Sequence, residues 1–240
     1  RPFIIEFKII KILEDCKEFG TLPFSILARF GFVGAILMKS LVKKNVISQN
    51  DLDLFMGSIK TIAKDFIIDL SELRANTVTQ DNFLDKYGHL RPGSYDINSM
   101  TYKENFDNYI QIDKVTPDTS DENSAFHFPE DTLVQITQAI NDNGLQFDVD
   151  ALLSFTRRAT EARELAKFEF TKNLSLALDL IKELAAQFGI NRENAAFLNL
   201  NDIMSMSYGS VTSNITNELI DSIHYNKKKH LIATAIKLPP

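Results

Sequence analysis

Apolar residues along this chain recur three and four positions apart almost throughout, and strict alternation over the length of a strand is hard to find. The pattern therefore predicts an all-α, multi-helix module. A first helix is expected from Ile5 to Phe19, with Ile5, Ile9, Ile12, Leu13 and Cys16 on one face, closed by Gly20 in a left-handed conformation. Thr21 as N-cap and Pro23 in the first turn open a second helix to about Leu41. On it, Ala28, Gly31, Gly34 and Ala35 lie on neighbouring turns and invite close approach of another helix. Ser48, with Asp51 three residues on, reads as a capping box before a long amphipathic helix through Leu52, Phe55, Ile59, Ile62, Ala63, Phe66 and Leu70. Thr79 caps a shorter helix that ends near Tyr87.

From Gly88 to Met100 the helical spacing fails, and Pro92 and Gly93 force an irregular loop. Asp113 to Glu122, rich in Asp, Thr, Ser and Pro, reads as a flexible linker. A helix from Pro129 to Ile140 closes at Asn143 and Gly144. Asp148 then caps one long helix whose stripe runs Leu152, Phe155, Ala159, Ala162, Ala166, Phe170, Leu174, Ala177, Ile181, Leu184 and Phe188 before Gly189 stops it. At about 1.5 Å per residue it would measure about 60 Å. Two short helical pieces (191–198 and 201–206) and a last amphipathic helix (210–229) complete the chain. The expected organisation is a helical half over 1–112 holding the loop, a linker over 113–128, and a second helical half over 129–240.

Composition narrows the partners. The 240 residues carry 26 basic and 32 acidic side chains, a net charge of −6, which argues against a nucleic-acid partner. The single cysteine, Cys16, falls on an apolar stripe and reads as a core thiol, consistent with a reducing compartment, so a cytoplasmic location is expected. Arg29, Lys39 and Lys43 interrupt the longest apolar run, Leu22 to Val46, so no membrane partner is expected. The chain starts at Arg1 and stops at Pro240 as if cut from a longer one.

His89, His127, His224 and His230 form no metal-ligand spacing, no glycine-rich phosphate loop is present, and no serine sits in a nucleophile elbow. The exception is Lys86-Tyr87-Gly88-His89-Leu90-Arg91-Pro92-Gly93-Ser94-Tyr95-Asp96-Ile97, which packs an imidazole, a guanidinium fork, two phenols and a carboxylate into one turn-rich stretch. Arg91 can clamp a carboxylate or phosphate there while His89 moves a proton. Equally, His89, Arg91 and Asp96 can bond one another and the backbone of a long irregular segment. A second polar concentration, Arg157, Arg158, Glu161, Arg163, Glu164 and Lys167, reads mainly as a solvated helix face with Arg157 paired to Glu161, and Lys227 to His230 as a basic patch at a helix C-terminus.

The 86–97 string resembles the loop signature in the helical central region of phosphoenolpyruvate synthase-like enzymes, a group that includes rifampin phosphotransferase. Phe19-Gly20-Thr21-Leu22-Pro23-Phe24 with Ala28-Arg29 upstream agrees with it, as do Arg163-Glu164, Lys167-Phe168 and Gly189-Ile190-Asn191-Arg192-Glu193 downstream. The resemblance implies a dikinase-type transferase in which an ATP-grasp domain, using ATP and Mg, phosphorylates a histidine on a swivelling domain that carries the phosphoryl group to a small-molecule acceptor. No histidine here lies in the Gly-Gly, Ser-His context of that swivelling domain, so both catalytic domains are expected outside this segment, which alone would be inactive. On this resemblance His89, Arg91, Tyr95 and Asp96 would bind the acceptor, with Tyr87, Arg163, Glu164 and Lys167 in support. Phe30, Phe32 and Leu90 depart from the drug-inactivating members, so an antibiotic acceptor is not implied. The alternatives are a structural helical spacer and a protein-interaction bundle without a ligand.

Overall fold

The computed structural model describes residues 3–110, 126–208 and 214–236, and among these there is no strand, so the fold is all-α. The helices are α1 (Phe3–Asp15), α2 (Leu22–Lys43), α3 (Gln49–Gly57), α4 (Ile62–Arg74), α5 (Gln80–Tyr87), α6 (Phe106–Tyr109), α7 (Glu130–Asp142), α8 (Val149–Gln187), α9 (Arg192–Ala195), α10 (Leu200–Tyr208) and α11 (Ile215–Ala235). The linker expected over Asp113–Glu122 lies outside the described residues. The chain forms two compact units that do not follow the division at that linker. One gathers Arg1–Lys17, Lys86–Ile110 and Thr171–Pro240; the other gathers Glu18–Asp85 and Gln111–Phe170. The reason is α8, a single 39-residue helix that contributes its first part to the second unit and its remainder to the first.

In the first unit α1 packs on α10, and the core joins Ile9, Ile97, Leu184, Ala185, Ile203, Leu219 and Ile223. In the second, Met38, Leu41, Leu52, Phe55, Ile59, Ile136, Ile140 and Leu152 form the core. Three glycines stand close against α8, Gly20 in the turn before α2 and Gly31 and Gly34 on α2 itself. A Cβ at Gly20 would lie 2.6 Å from Phe170 Cβ, one at Gly31 3.3 Å from Arg163 Cδ, and one at Gly34 3.1 Å from Thr156 Oγ1. The small residues of α2 therefore admit a neighbouring helix, as their spacing predicts.

Gly20 does not end the first helix. Cys16–Thr21 form a π-helical turn that joins α1 to α2, and Thr21 is itself helical at φ −63°, ψ −39°, so it does not cap. Pro23 supplies the reason: it lacks the N–H that an unbroken α-helix would offer four residues back, and its ring crowds that carbonyl, which a widened turn accommodates. Joined in this way, Ile5–Lys43 is long and apolar enough to cross a membrane by length and composition, with a mean hydropathy of 1.7 over its most apolar window, 17% of it buried. The expectation that charges interrupt this run too often was too strict, because Arg29 is the one charge between Glu18 and Lys39.

The helix expected from Ser48 through Leu70 is two helices. Its capping box forms, with Asp51 N–H donating to Ser48 Oγ at 3.0 Å and Ser48 N–H to Asp51 Oδ2 at 3.0 Å. After Gly57, however, Ser58 Oγ bonds the Phe55 carbonyl at 2.7 Å and Thr61 turns extended, so the chain restarts as α4. Asn45 and Asn76, at φ 57° and 56°, take the left-handed position just past α2 and α4. Asp148 caps α8 through the Ala151 N–H at 2.7 Å, and Gly189 follows its end at φ +70°.

Candidate functional site

The loop after α5 is fixed at its root by Tyr87, whose side chain is fully buried. Its two arms are tied by main-chain bonds, Tyr102 N–H to Leu90 O at 2.7 Å and Lys103 N–H to Gly88 O at 3.1 Å. At the tip, Asp96 N–H closes a turn on Gly93 O at 2.9 Å, and Gly93 N–H donates to Ser99 Oγ at 3.0 Å. A Cβ at Gly93 would stand 3.1 Å from Asp96 Cβ, so glycine is what lets the turn close this tightly.

Arg91 points inward. Its side chain is 1% exposed; Nη1 donates to Ser99 O at 3.0 Å, and Nη2 to Ser175 Oγ at 2.8 Å, Ser175 O at 3.3 Å and Asp179 Oδ1 at 3.1 Å. Through these four acceptors the guanidinium holds the loop to α8, while its Nε is buried without a partner. Arg192 joins from α9, donating through Nε to Ile97 O and through Nη2 to Ser99 O at 3.1 Å and Glu104 Oε2 at 3.4 Å. Lys182 of α8 bonds Glu104 Oε1, and Thr101 and Glu104 cap each other reciprocally: Thr101 N–H to Oε2 at 3.0 Å, Glu104 N–H to Thr101 Oγ1 at 3.1 Å. Burial pushes the Glu104 carboxyl up, but the hydrogen bonds from Lys182 and Thr101 and the charges of Lys182 and Arg192 outweigh it and hold the group at about 2.

The remaining loop residues divide. His89 is half-buried in the first turn, while Tyr95 and Asp96 are exposed. Tyr95, Asp96 and Ile97 line a cavity of about 220 Å³ whose other walls are Leu178 and Ile181 of α8 and Ala195, Ala196, Leu198, Leu200 and Ile203. Asp96 is the one charged group on that wall, and its Oδ1 accepts from Asn98 N–H at 2.9 Å. The cavity can hold a compact, largely apolar molecule with a hydroxyl or cationic end turned to Asp96 and Tyr95.

Arg163, Glu164 and Lys167 belong to the other unit, where Arg163 is bidentate to Glu164 Oε1 at 3.0 and 2.7 Å and Lys167 is exposed. Arg157 is not the surface partner of Glu161. It donates to Ser58 Oγ and Phe126 O, each at 3.0 Å, and its guanidinium lies 4.6 Å from the centre of the Phe55 ring. Lys227 to Lys229 sit within α11, which continues to Ala235, and Lys227 bonds Asn194 Oδ1 over the Phe197 ring. Sequence reasoning did not find Glu104, Ser175, Asp179 or Lys182. The Thr101-x-x-Glu104 capping pattern was available, as were Ser175 and Asp179 four apart on one face of the long helix.

Among the described residues no three His, Cys, Asp or Glu side chains are grouped to hold a metal. No family model, no curated protein and no solved structure matches this chain.

Proposed function

We propose that this chain is the central acceptor-binding and scaffold module of a phosphoenolpyruvate synthase-like phosphotransferase, with the ATP-grasp and phosphohistidine domains, ATP and Mg supplied by the rest of a cytoplasmic parent. The observation that carries the reading is the coincidence of the 86–97 string with a cavity whose rim holds its Tyr95 and Asp96. In this reading Asp96 accepts a hydrogen bond from the acceptor hydroxyl, Tyr95 covers it, and the apolar wall takes its body. Arg91 and Arg192 do not grip the ligand; they hold the loop at the height the cavity requires.

One observation favours the spacer reading instead: the Arg91 side chain is 1% exposed and both its Nη atoms are engaged by protein acceptors, which leaves only a buried Nε without a partner. The two separate by experiment. Saturation-transfer NMR of the 240-residue chain against small, largely apolar hydroxy compounds should show binding that Ala196→Phe, which fills the cavity, abolishes. In the parent enzyme Asp96→Asn should lower acceptor-dependent ATP turnover by about tenfold or more, the loss of a charge-assisted hydrogen bond. Absence of binding together with unchanged turnover in Asp96→Asn establishes the spacer.

A further inference from the structure

Between Glu18 and Asp51 every charged residue is basic, namely Arg29, Lys39, Lys43 and Lys44, in a chain whose net charge is −6. This basic strip coincides with a run of exposed apolar side chains on one helix. Leu22, Ile26, Phe30, Val33 and Ile36 of α2 are between 46% and 64% exposed, and Phe32 is 58% exposed. At about 100° per residue these five side chains fall within an arc of about 120°, with Lys39 and Lys43 along one border and Arg29 just inside it. Gly31, Gly34, Met38 and Leu41, all buried, occupy the opposite side.

The charge pattern selects the occupant. A second copy of α2 laid on this face would bring a strip without a single acid against another of the same sign. A bilayer-spanning α2 is ruled out by its own packing: Gly31 and Gly34 hold it against Ala159, Arg163 and Thr156 of α8, so insertion would drag Arg158, Glu161, Glu164 and Lys167 into hydrocarbon. A helix with an apolar arc, a basic border and a charged element behind it lies along an interface instead. We propose that α2 docks this protein on an anionic lipid surface, with Ile26, Phe30, Val33 and Ile36 below the headgroups and Arg29, Lys39 and Lys43 at the lipid phosphates. The basic residues that interrupt a spanning segment are the ones a surface-lying helix uses.

The test is co-sedimentation of the full chain with phosphatidylcholine vesicles with and without about 30 mol% phosphatidylglycerol. Binding should be at least about tenfold tighter to the anionic vesicles and should fall as salt is raised from about 50 to about 500 mM. Ile26→Asp/Val33→Asp and, separately, Lys39→Glu/Lys43→Glu should each weaken it by about tenfold or more, at about a factor of five per basic charge removed, with the circular-dichroism melt unchanged. Equal binding to neutral vesicles, no binding to either, or insensitivity to both double variants overturns the proposal. So does concentration-dependent dimerisation in light scattering that Ile26→Asp/Val33→Asp abolishes in the absence of lipid, which assigns the face to a second copy.

Discussion

Replacing Arg91 with methionine keeps most of the side-chain volume but removes the charge and all four donated bonds. Two of those bonds, to Ser175 O and Ser175 Oγ, are wholly buried, and bonds from a charged donor in such places contribute about 1.5 to 3 kcal/mol each. The other two are discounted. Ser99 O keeps a second donor in Arg192 at 3.1 Å, and Asp179, 37% exposed, keeps water and Lys182 at 3.7 Å. Substitution also removes the cost of burying a cation, so the net expectation is a loss of about 3 kcal/mol, with Arg91→Ala about 1 kcal/mol worse for the cavity it leaves. Arg91→Lys, which restores charge without the fork, should recover less than half. Urea unfolding followed by circular dichroism measures each value from the midpoint at constant slope. A loss below about 1 kcal/mol for Arg91→Met would refute the assignment of Arg91 as the tie between loop and α8. The result also bears on function: an Arg91 that only gripped an acceptor would, on change to Ala, lose turnover while keeping its fold, whereas a buried tie loses both together.

Gly20→Ala places a methyl 2.6 Å from Phe170 Cβ and should destabilise by about 1 to 3 kcal/mol in a thermal or urea melt, whereas Gly57→Ala, with nothing within 4 Å, should be neutral or stabilise by up to about 1 kcal/mol. The Glu104 carboxyl is held at about 2, below its ordinary 4.5, so its contribution is present above about pH 4.5 and is lost as pH falls through about 2. Glu104→Gln should therefore cost about 1 to 2 kcal/mol at neutral pH, allowing for the partly exposed ion pair, and flatten the acid limb of a stability-versus-pH curve. Arg157→Ala should cost about 2 kcal/mol through its two hydrogen bonds and the Phe55 ring contact, while Arg158→Ala, exposed, should stay within about 0.5 kcal/mol.

Features governed by a few consecutive residues are legible in the sequence. The Ser48–Asp51 box, the Asp148 cap and the Gly189 stop obey local backbone chemistry, and the Gly31–Gly34 spacing announces a close helix contact wherever the partner lies. Gly20 was misread because the same residue serves as a left-handed terminator or as a place for another chain to touch, and Phe170, 150 positions away, decides between them. The break after Gly57 escaped notice because the apolar spacing continues across it from Phe55 to Ile62, although the backbone does not. In the loop, the density of polar groups was visible, but the inward turn of Arg91 depends on Ser175 and Asp179, 84 and 88 residues on. Periodicity reports which face a residue occupies on its own helix and carries no information about acceptors that distant.

The connectivity of the first unit bears on how the protein is made. Ile9 shares a core with Leu219 and Ile223, so that unit cannot close until Ile223 has left the ribosome. The other unit has all its residues by Phe170. Vectorial synthesis therefore reverses the usual N-terminal-first order. During the interval α1 waits with Ile9 and Glu6 uncovered, although both are fully shielded in the finished fold. Nascent chains arrested far enough beyond Phe170 for it to clear the exit tunnel, but before Leu219 does, should protect α2 and α3 from protease while α1 stays sensitive, which makes α1 the natural client of a chaperone at the tunnel mouth.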